Sequence, residues 1–322
     1  MCLAAGSAMA QDFHLSQYDM ATQYLNPALT GMYGNETGDY RIYSDYRSQW
    51  SNASVNPYTT AYLAYDMPVP KWQKDVGLGA YFINNNSGIN SLNTFSFMLS
   101  AAYNITGNSK GVHVLTTGLQ LGIVHQGFDP DNFTYDSQYS EELGGFDPGM
   151  ASGEHFSKTS VTGFDANYGI YYKYTDERKR AHPFGGFSIH HLTRPNESFT
   201  SETIKTPMRF NFHGGCDVSV NDAFSFTPRF LYMSESKAHE FNFGLLSNYA
   251  IANTPYTAIL QLDCRSGDAF IMGIGIKQNQ HTFRISYDMN TSSLNNYSGG
   301  NGSWEVALIL TGIKGKPLFS KE

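Results

Sequence analysis

Ten histidines, three cysteines and a run of carboxylates between residues 127 and 161 are the side chains of this 322-residue chain that could do chemistry. None of them falls into a spacing that chemistry demands. There is no His-Glu-x-x-His helix face and no Cys-x-x-Cys pair, and the serines form no Gly-x-Ser-x-Gly elbow, so zinc and triad chemistry lack their scaffolds. His190 and His191 are adjacent, which on a strand would send them to opposite faces. The glycines lie inside apparent strands, not between a strand and a helix, so no phosphate-cradling loop is formed. The expectation is a protein without catalysis and without a cofactor.

The acidic run is the best ligand candidate. Asp129, Asp131, Asn132, Asp136, Glu141, Glu142 and Asp147 supply oxygens suited to Ca²⁺, yet the Asp-x-Asp-x-Asp-Gly loop with its terminal Glu is missing. The simpler reading is an exposed loop for protein contact, with Asp129, Asp131, Tyr135 and Tyr139 as contact residues. A second set, Arg47, Arg265, Asp268, Arg284 and Asp288, sits on or beside strands whose opposite face is apolar. Such charges need partners or water, and they imply a polar interior.

The elements that would hold these charges alternate with a period of two. In 281–289, Phe283, Ile285, Tyr287 and Met289 oppose Arg284, Ser286 and Asp288; in 303–311, Trp304, Val306, Leu308 and Leu310 oppose Glu305 and Ala307. The same sorting marks strands at 38–47, 58–66, 75–83, 93–104, 112–126, 162–174, 183–191, 208–219, 223–233, 239–250, 256–264, 268–277, 281–289 and 303–311. That is an even number, fourteen. Most have the length a tilted strand needs to cross the hydrocarbon layer, whereas strands of soluble sandwiches average about 5–6 residues. The expected fold is all-β, an antiparallel transmembrane β-barrel. Connections after odd strands include 48–57, 84–92, the long 127–161, 192–207 and 290–302; those after even strands are uniformly short, as in outer-membrane barrels. The chain before the first strand would then start in the periplasm.

Composition agrees. Charged residues make up 15% and aromatics 15%, mean hydropathy is −0.36 and net charge −7. No run of about 18 apolar residues could form a transmembrane helix, but a barrel needs apolar side chains on one strand face only. The one basic run, Arg178-Lys179-Arg180, is too short for a nucleic-acid surface. Bulky inward residues such as Tyr43, Tyr65 and Tyr171 suggest a filled lumen. Cys216 and Cys264 both face outward by phase and lie three strands apart, about 14 Å, too far to bridge.

The ends read as separate pieces. Residues 1–10 end in Ala8-Met9-Ala10, a signal-peptidase pattern that would leave Gln11 first. Residues 11–37, interrupted by Asn26-Pro27, Gly31 and Gly34, are too irregular for a spanning strand and are expected to form a periplasmic or plug segment. The barrel takes 38–311, and 312–322 form a tail.

Several stretches resemble the PorP/SprF family of the type IX secretion system. Phe13-His-Leu-Ser-Gln-Tyr18 contains Ser16, Gln17 and Tyr18; Tyr24-Leu-Asn-Pro-Ala-Leu-Thr-Gly31 contains Asn26 and Pro27. Arg47-Ser-Gln-Trp50, with Gln49 and Trp50, follows on the first hairpin, then Val76-Gly-Leu-Gly79 and Ile83-Asn-Asn-Asn-Ser-Gly88. Near the end stand Arg265, Ser266, Gly267 and Asp268, then Arg284-Ile-Ser-Tyr-Asp288 and Asn296-Tyr297. The matches keep their order over nearly the whole chain. The chain departs from the family beyond its last strand, where Gly312–Glu322 runs on. The resemblance implies an outer-membrane component of secretion and gliding motility. Its partners would be type IX components and a secreted surface protein such as an adhesin, with lipid around the barrel. The alternative on the same fold is a diffusion channel for small solutes.

Overall fold

A computed structural model describes residues 12–33, 38–50, 57–69, 75–87, 92–106, 112–130, 133–147, 149–153, 156–292, 301–313 and 318. Alternation of apolar and polar side chains becomes strand wherever it is sustained. The first strands are β1 (Tyr40–Gln49), β2 (Tyr58–Pro68), β3 (Val76–Ser87), β4 (Leu92–Asn104) and β5 (His113–Gly127). A small hairpin, β6 (Tyr139–Ser140) with β7 (Gly145–Phe146), rises from the long loop after β5. The chain continues through β8 (Ser160–Tyr174), β9 (Ala181–His190), β10 (Arg209–Ser219), β11 (Phe224–Glu235) and β12 (Ala238–Ala250). It ends with β13 (Tyr256–Arg265), β14 (Ala269–Gln278), β15 (His281–Asn290) and β16 (Asn301–Gly312).

All strands but β6 and β7 form one antiparallel sheet, and β1 pairs with β16 to close it. Closure satisfies both edges, which is what permits strands in lipid. The fourteen-stranded barrel expected from the sequence is therefore the observed fold. β3 runs on through Asn84, Asn85 and Asn86 beyond its expected end, because a polar run carries no alternation to read. The exterior is apolar: Leu99, Phe164, Ile274 and Trp304 stand exposed, while Arg265, Arg284, Asp288 and Glu305 are buried inside. No described helix is long and apolar enough to cross a membrane.

One of the three inward aromatic assignments changes. Tyr43 is buried and Tyr171 stacks on His213 within the lumen, as expected. Tyr65 instead faces out and stacks on Tyr40 at 5.8 Å, because Thr60, Tyr62, Ala64 and Asp66 take the inward phase of β2. Cys216 and Cys264 are both free thiols.

Residues 12–33 lie inside the barrel. Their one regular turn pair is a short helix, Thr22–Leu25, and a 3-10 turn, Pro27–Leu29, joined at Asn26, whose Oδ1 accepts from Ala28 N at 2.9 Å. Leu15 and Ala21 pack with Tyr43, Tyr62, Tyr81, Ile83 and Met98 in one apolar cluster; Tyr18 and Leu25 pack with Leu231 and Met233 in another. The barrel wall makes room by omitting side chains. A Cβ on Gly118 would run into the carbonyl of Pro27, and one on Gly77 into the carbonyl of Thr30.

That close approach generates a test. Gly118→Val suits a strand by propensity, so its cost comes from overpacking against Pro27, about 1–3 kcal/mol. Expected are a lower unfolding midpoint and faster protease release of the N-terminal segment, with the barrel still inserting. Gly145→Val, where an added Cβ meets nothing within 4 Å, should change neither.

Candidate functional site

The inward charges of the wall and the polar atoms of residues 12–31 meet at four nodes that follow the segment down the lumen. The uppermost, by the long loops, is Asp12. Its carboxylate receives Arg209 at 2.7 Å and His191 Nε2 at 2.9 Å, while His191 Nδ1 reaches Asp165 on β8 at 2.6 Å. Burial pulls the His191 imidazole down, but Asp12 and Asp165 outweigh it and raise its pKa to about 10. Burial also pushes Asp12 up, and Arg209 with His191 more than reverse this, holding its carboxyl well below the usual carboxylate range. His191 is thus an imidazolium between two carboxylates. His190 and His191 do not face opposite sides. β9 ends at His190, and the positive φ of His191, 60°, turns its ring back into the lumen.

The second node is Ser16-Gln17. Asp288 on β15 accepts from Ser16 Oγ at 2.6 Å, from Arg265 of β13 at 2.6 Å and from Arg47 of β1 at 3.0 Å. Glu305 on β16 accepts the backbone N–H groups of Ser16 and Gln17, at 2.8 and 2.6 Å. Gln17 Oε1 accepts from Arg284 at 2.7 Å. Just below, Asp19 takes Arg284 at 2.6 Å and Arg229 at 2.8 Å, and Arg229 also pairs with Asp263 at 2.7 Å. The Arg229 guanidinium lies 5.0 Å from the Tyr18 ring centroid.

Asn26 makes the third node, its Nδ2 donating to Ile170 O at 3.0 Å, while Thr116 Oγ1 donates to Ala28 O at 2.9 Å. At the fourth, Gly31 N donates to Asp66 at 2.7 Å, beside the Arg41–Asp66 pair. Asp66 lies near the short-turn end of β2. Hence the segment runs along the lumen, with residue 12 at the long-loop end and Gly31 at the short-turn end. Below it, toward the short turns, opens a cavity of about 1880 Å³ bounded by Leu29, Met32 and Tyr33 of the segment and by Lys173, Asp217 and Asn248 of the wall.

Of the motif residues, the structure brings Ser16, Gln17, Arg47 and Arg265 together at one node, sets Tyr18 against Arg229, and seats Asn26 and Pro27 at another. The remaining motif residues serve the rim. Gln49 pairs in register with Ser303, and Trp50, at φ 59°, packs edge-on against Tyr58. Ser266 N donates to Phe241 O, Gly267 supplies the positive φ of 74° that the β13–β14 turn requires, and Asp268 pairs with Arg265 Nε at 3.2 Å. Asp129, Tyr135 and Tyr139 lie apart in the long loop, Tyr135 stacked on Phe133 and Tyr139 edge-on to Phe146; Asp131 falls outside the described residues, as do Asn296 and Tyr297. Among the described residues no group of three or more His, Cys, Asp or Glu is placed to hold a metal ion. Asp12, Asp19, His191, Arg209, Arg229, Asp263 and Glu305 were not singled out by motif. Inward parity on β11, β13 and β16 was the available signal for Arg229, Asp263 and Glu305.

A closed barrel with an apolar exterior and a charged interior defines an outer-membrane β-barrel protein. The chain belongs to the family described as type IX secretion system membrane protein PorP/SprF, whose model matches residues 7–309. Among solved structures it is similar to the toluene transporter TbuX of Ralstonia pickettii, at 12% identity over 90% of this chain and 92% of that one, with a TM-score of 0.54. The toluene transporter TodX of P. putida is more distant in shape, at 7% identity over 88% and 90% and a TM-score of 0.49. At such identities the likeness is one of fold. No curated protein matches the chain.

Two outcomes follow from the network. Arg265→Ala leaves Asp288 short of a buried partner, which should cost about 3–5 kcal/mol in denaturant unfolding. Arg178→Ala, at a guanidinium 84% exposed, should leave the midpoint unchanged. The Asp12 node should respond to pH. A raised imidazolium pKa stabilises fully below the ordinary value of 6.5, and the gain fades as pH rises through about 10. The depressed Asp12 contributes above its ordinary 3.8, and that gain is lost only in stronger acid. Chymotrypsin cleavage after Phe13, normalised to a free peptide, should therefore quicken between neutral pH and pH 10, and His191→Gln should cleave fast throughout.

Proposed function

We propose that this barrel is a non-enzymatic anchoring or secretion component of the type IX system, which holds a secreted surface protein such as an adhesin at the outer membrane. The observation that carries this reading is the occupied lumen. A segment tied to the wall by Asp12, Ser16, Gln17, Asp19, Asn26 and Gly31 acts as a plug, and a plugged barrel is suited to binding, not to bulk diffusion. Family membership supports the assignment to the secretion system. Contact with the partner falls to the long loops, where Asp129, Asp131, Tyr135 and Tyr139 lie, because loops on a rigid wall are free to vary for binding.

The second reading is a diffusion channel, favoured by the cavity of about 1880 Å³ at the short-turn end. Conductance in planar bilayers separates the two. The intact protein should stay closed, and a variant lacking residues 12–33 should pass a steady current. A large steady pore in the intact protein would overturn the anchor reading. In the native outer membrane, deleting residues 133–153 should remove the partner from the cell surface while the barrel remains.

A further inference from the structure

The long loop after β5 carries apolar side chains that the barrel does not use. Tyr139 and Phe146 face each other across the β6–β7 hairpin with ring centroids 5.7 Å apart, and Leu143 sits in its turn. Met150 follows, its carbonyl accepting from Gln138 Nε2 at 2.9 Å, so it lies beside the same hairpin. Leu143 is 69% exposed, Tyr139 50%, Phe146 49% and Met150 41%. These groups belong to the long-loop end and not to the lipid-facing wall. A contiguous apolar patch left in water marks a binding surface.

The patch is held from below. Phe128 packs edge-on to Phe133, Phe156 and Phe199 at 4.6–5.6 Å, tying this loop to the one after β9. Asp147 N donates to Gln138 O, and Ser137 Oγ to Ser152 O, closing the loop across the base of the hairpin. A surface ordered before binding loses less entropy on binding.

Its charge has one sign. Residues 128–153 contain no Lys or Arg, whereas Asp136, Glu141, Glu142 and Asp147 surround the hairpin. A rim of carboxylates around aromatic and aliphatic anchors selects against an acidic partner and steers a basic one. The same carboxylates oppose burial of the hairpin in a lipid surface, where each would lose its water.

We propose that the β6–β7 hairpin is the recognition surface for a cationic polypeptide segment that carries aromatic or aliphatic anchors. This rests on the reading that the long loops contact the partner, and it adds the partner's chemistry. The apolar side chains of the segment cover Tyr139, Leu143 and Phe146, and its Lys or Arg side chains pair with Glu141, Glu142 and Asp147.

The test uses the full-length barrel in phosphatidylcholine nanodiscs, with empty discs as the reference. Short fluorescent peptides alternating Phe and Lys, Phe and Glu, or Ser and Lys are titrated by anisotropy. The Phe-Lys peptide should bind about tenfold more tightly than either of the others. Phe146→Ser with Leu143→Ser should abolish that preference, and Glu141→Gln with Glu142→Gln should remove its salt dependence. These positions are exposed, so assembly should be unaffected. Equal binding of all three peptides, or binding indifferent to the serine pair, overturns the proposal. So does quenching of a Leu143→Trp signal by brominated lipid, which would place the hairpin in the membrane. Should deletion of 133–153 still strip the partner from cells while the peptides fail to discriminate, the loop-contact reading stands and the cationic partner falls.

Discussion

Every backbone N–H and C=O in hydrocarbon must find a partner within the protein, and closure of β1 onto β16 meets that demand. The remaining features follow. A closed wall facing lipid turns its polar parity inward, so Arg47, Arg229, Arg265 and Arg284 share a confined lumen with Asp263, Asp288 and Glu305. Buried guanidinium and carboxylate groups cost several kcal/mol each to desolvate unless paired. The wall pairs many of them with one another, and residues 12–31 complete the set.

Such pairs contribute more to position than to net stability, since an apolar filling would cost less desolvation. Their arrangement fixes the register of the segment. Ser16 fits where Arg47, Arg265 and Asp288 converge, Asp19 where Arg229 and Arg284 converge, Asn26 where Gly169 and Gly186 leave space, and Pro27 where Gly118 does. A slip by one residue would leave several charges without partners and drive Pro27 into the wall. The apolar clusters around Leu15 and Tyr18 add binding without direction.

Much of the barrel was legible because alternation is a local property. Phe283 against Arg284, or Trp304 against Glu305, announces a strand with one wet and one greasy face from neighbours alone. The inward charges were likewise legible, as Arg265, Arg284 and Asp288 turned out to be. The motif residues Ser16, Gln17 and Asn26 stood out by resemblance, but most of their partners are 144–289 residues away in the chain, and no spacing rule reaches that far. Tyr65 shows the limit within a single strand: β2 alternates small and aromatic residues on both faces, so its phase was ambiguous until Asp66 was seen to face inward.

The sequence by itself determined the strand count, the even closure, the asymmetry of loops and turns, and the charge placed on the interior face, because each depends on residues adjacent in the chain. Only the tertiary structure decided that the N-terminal segment spans the lumen from Asp12 by the long loops to Gly31 by the short turns. It alone seated His191 between Asp12 and Asp165, and lifted an apolar hairpin above the wall. Those outcomes depend on which strands become neighbours across a closed cylinder, a condition set by the whole sheet at once and by no stretch within it.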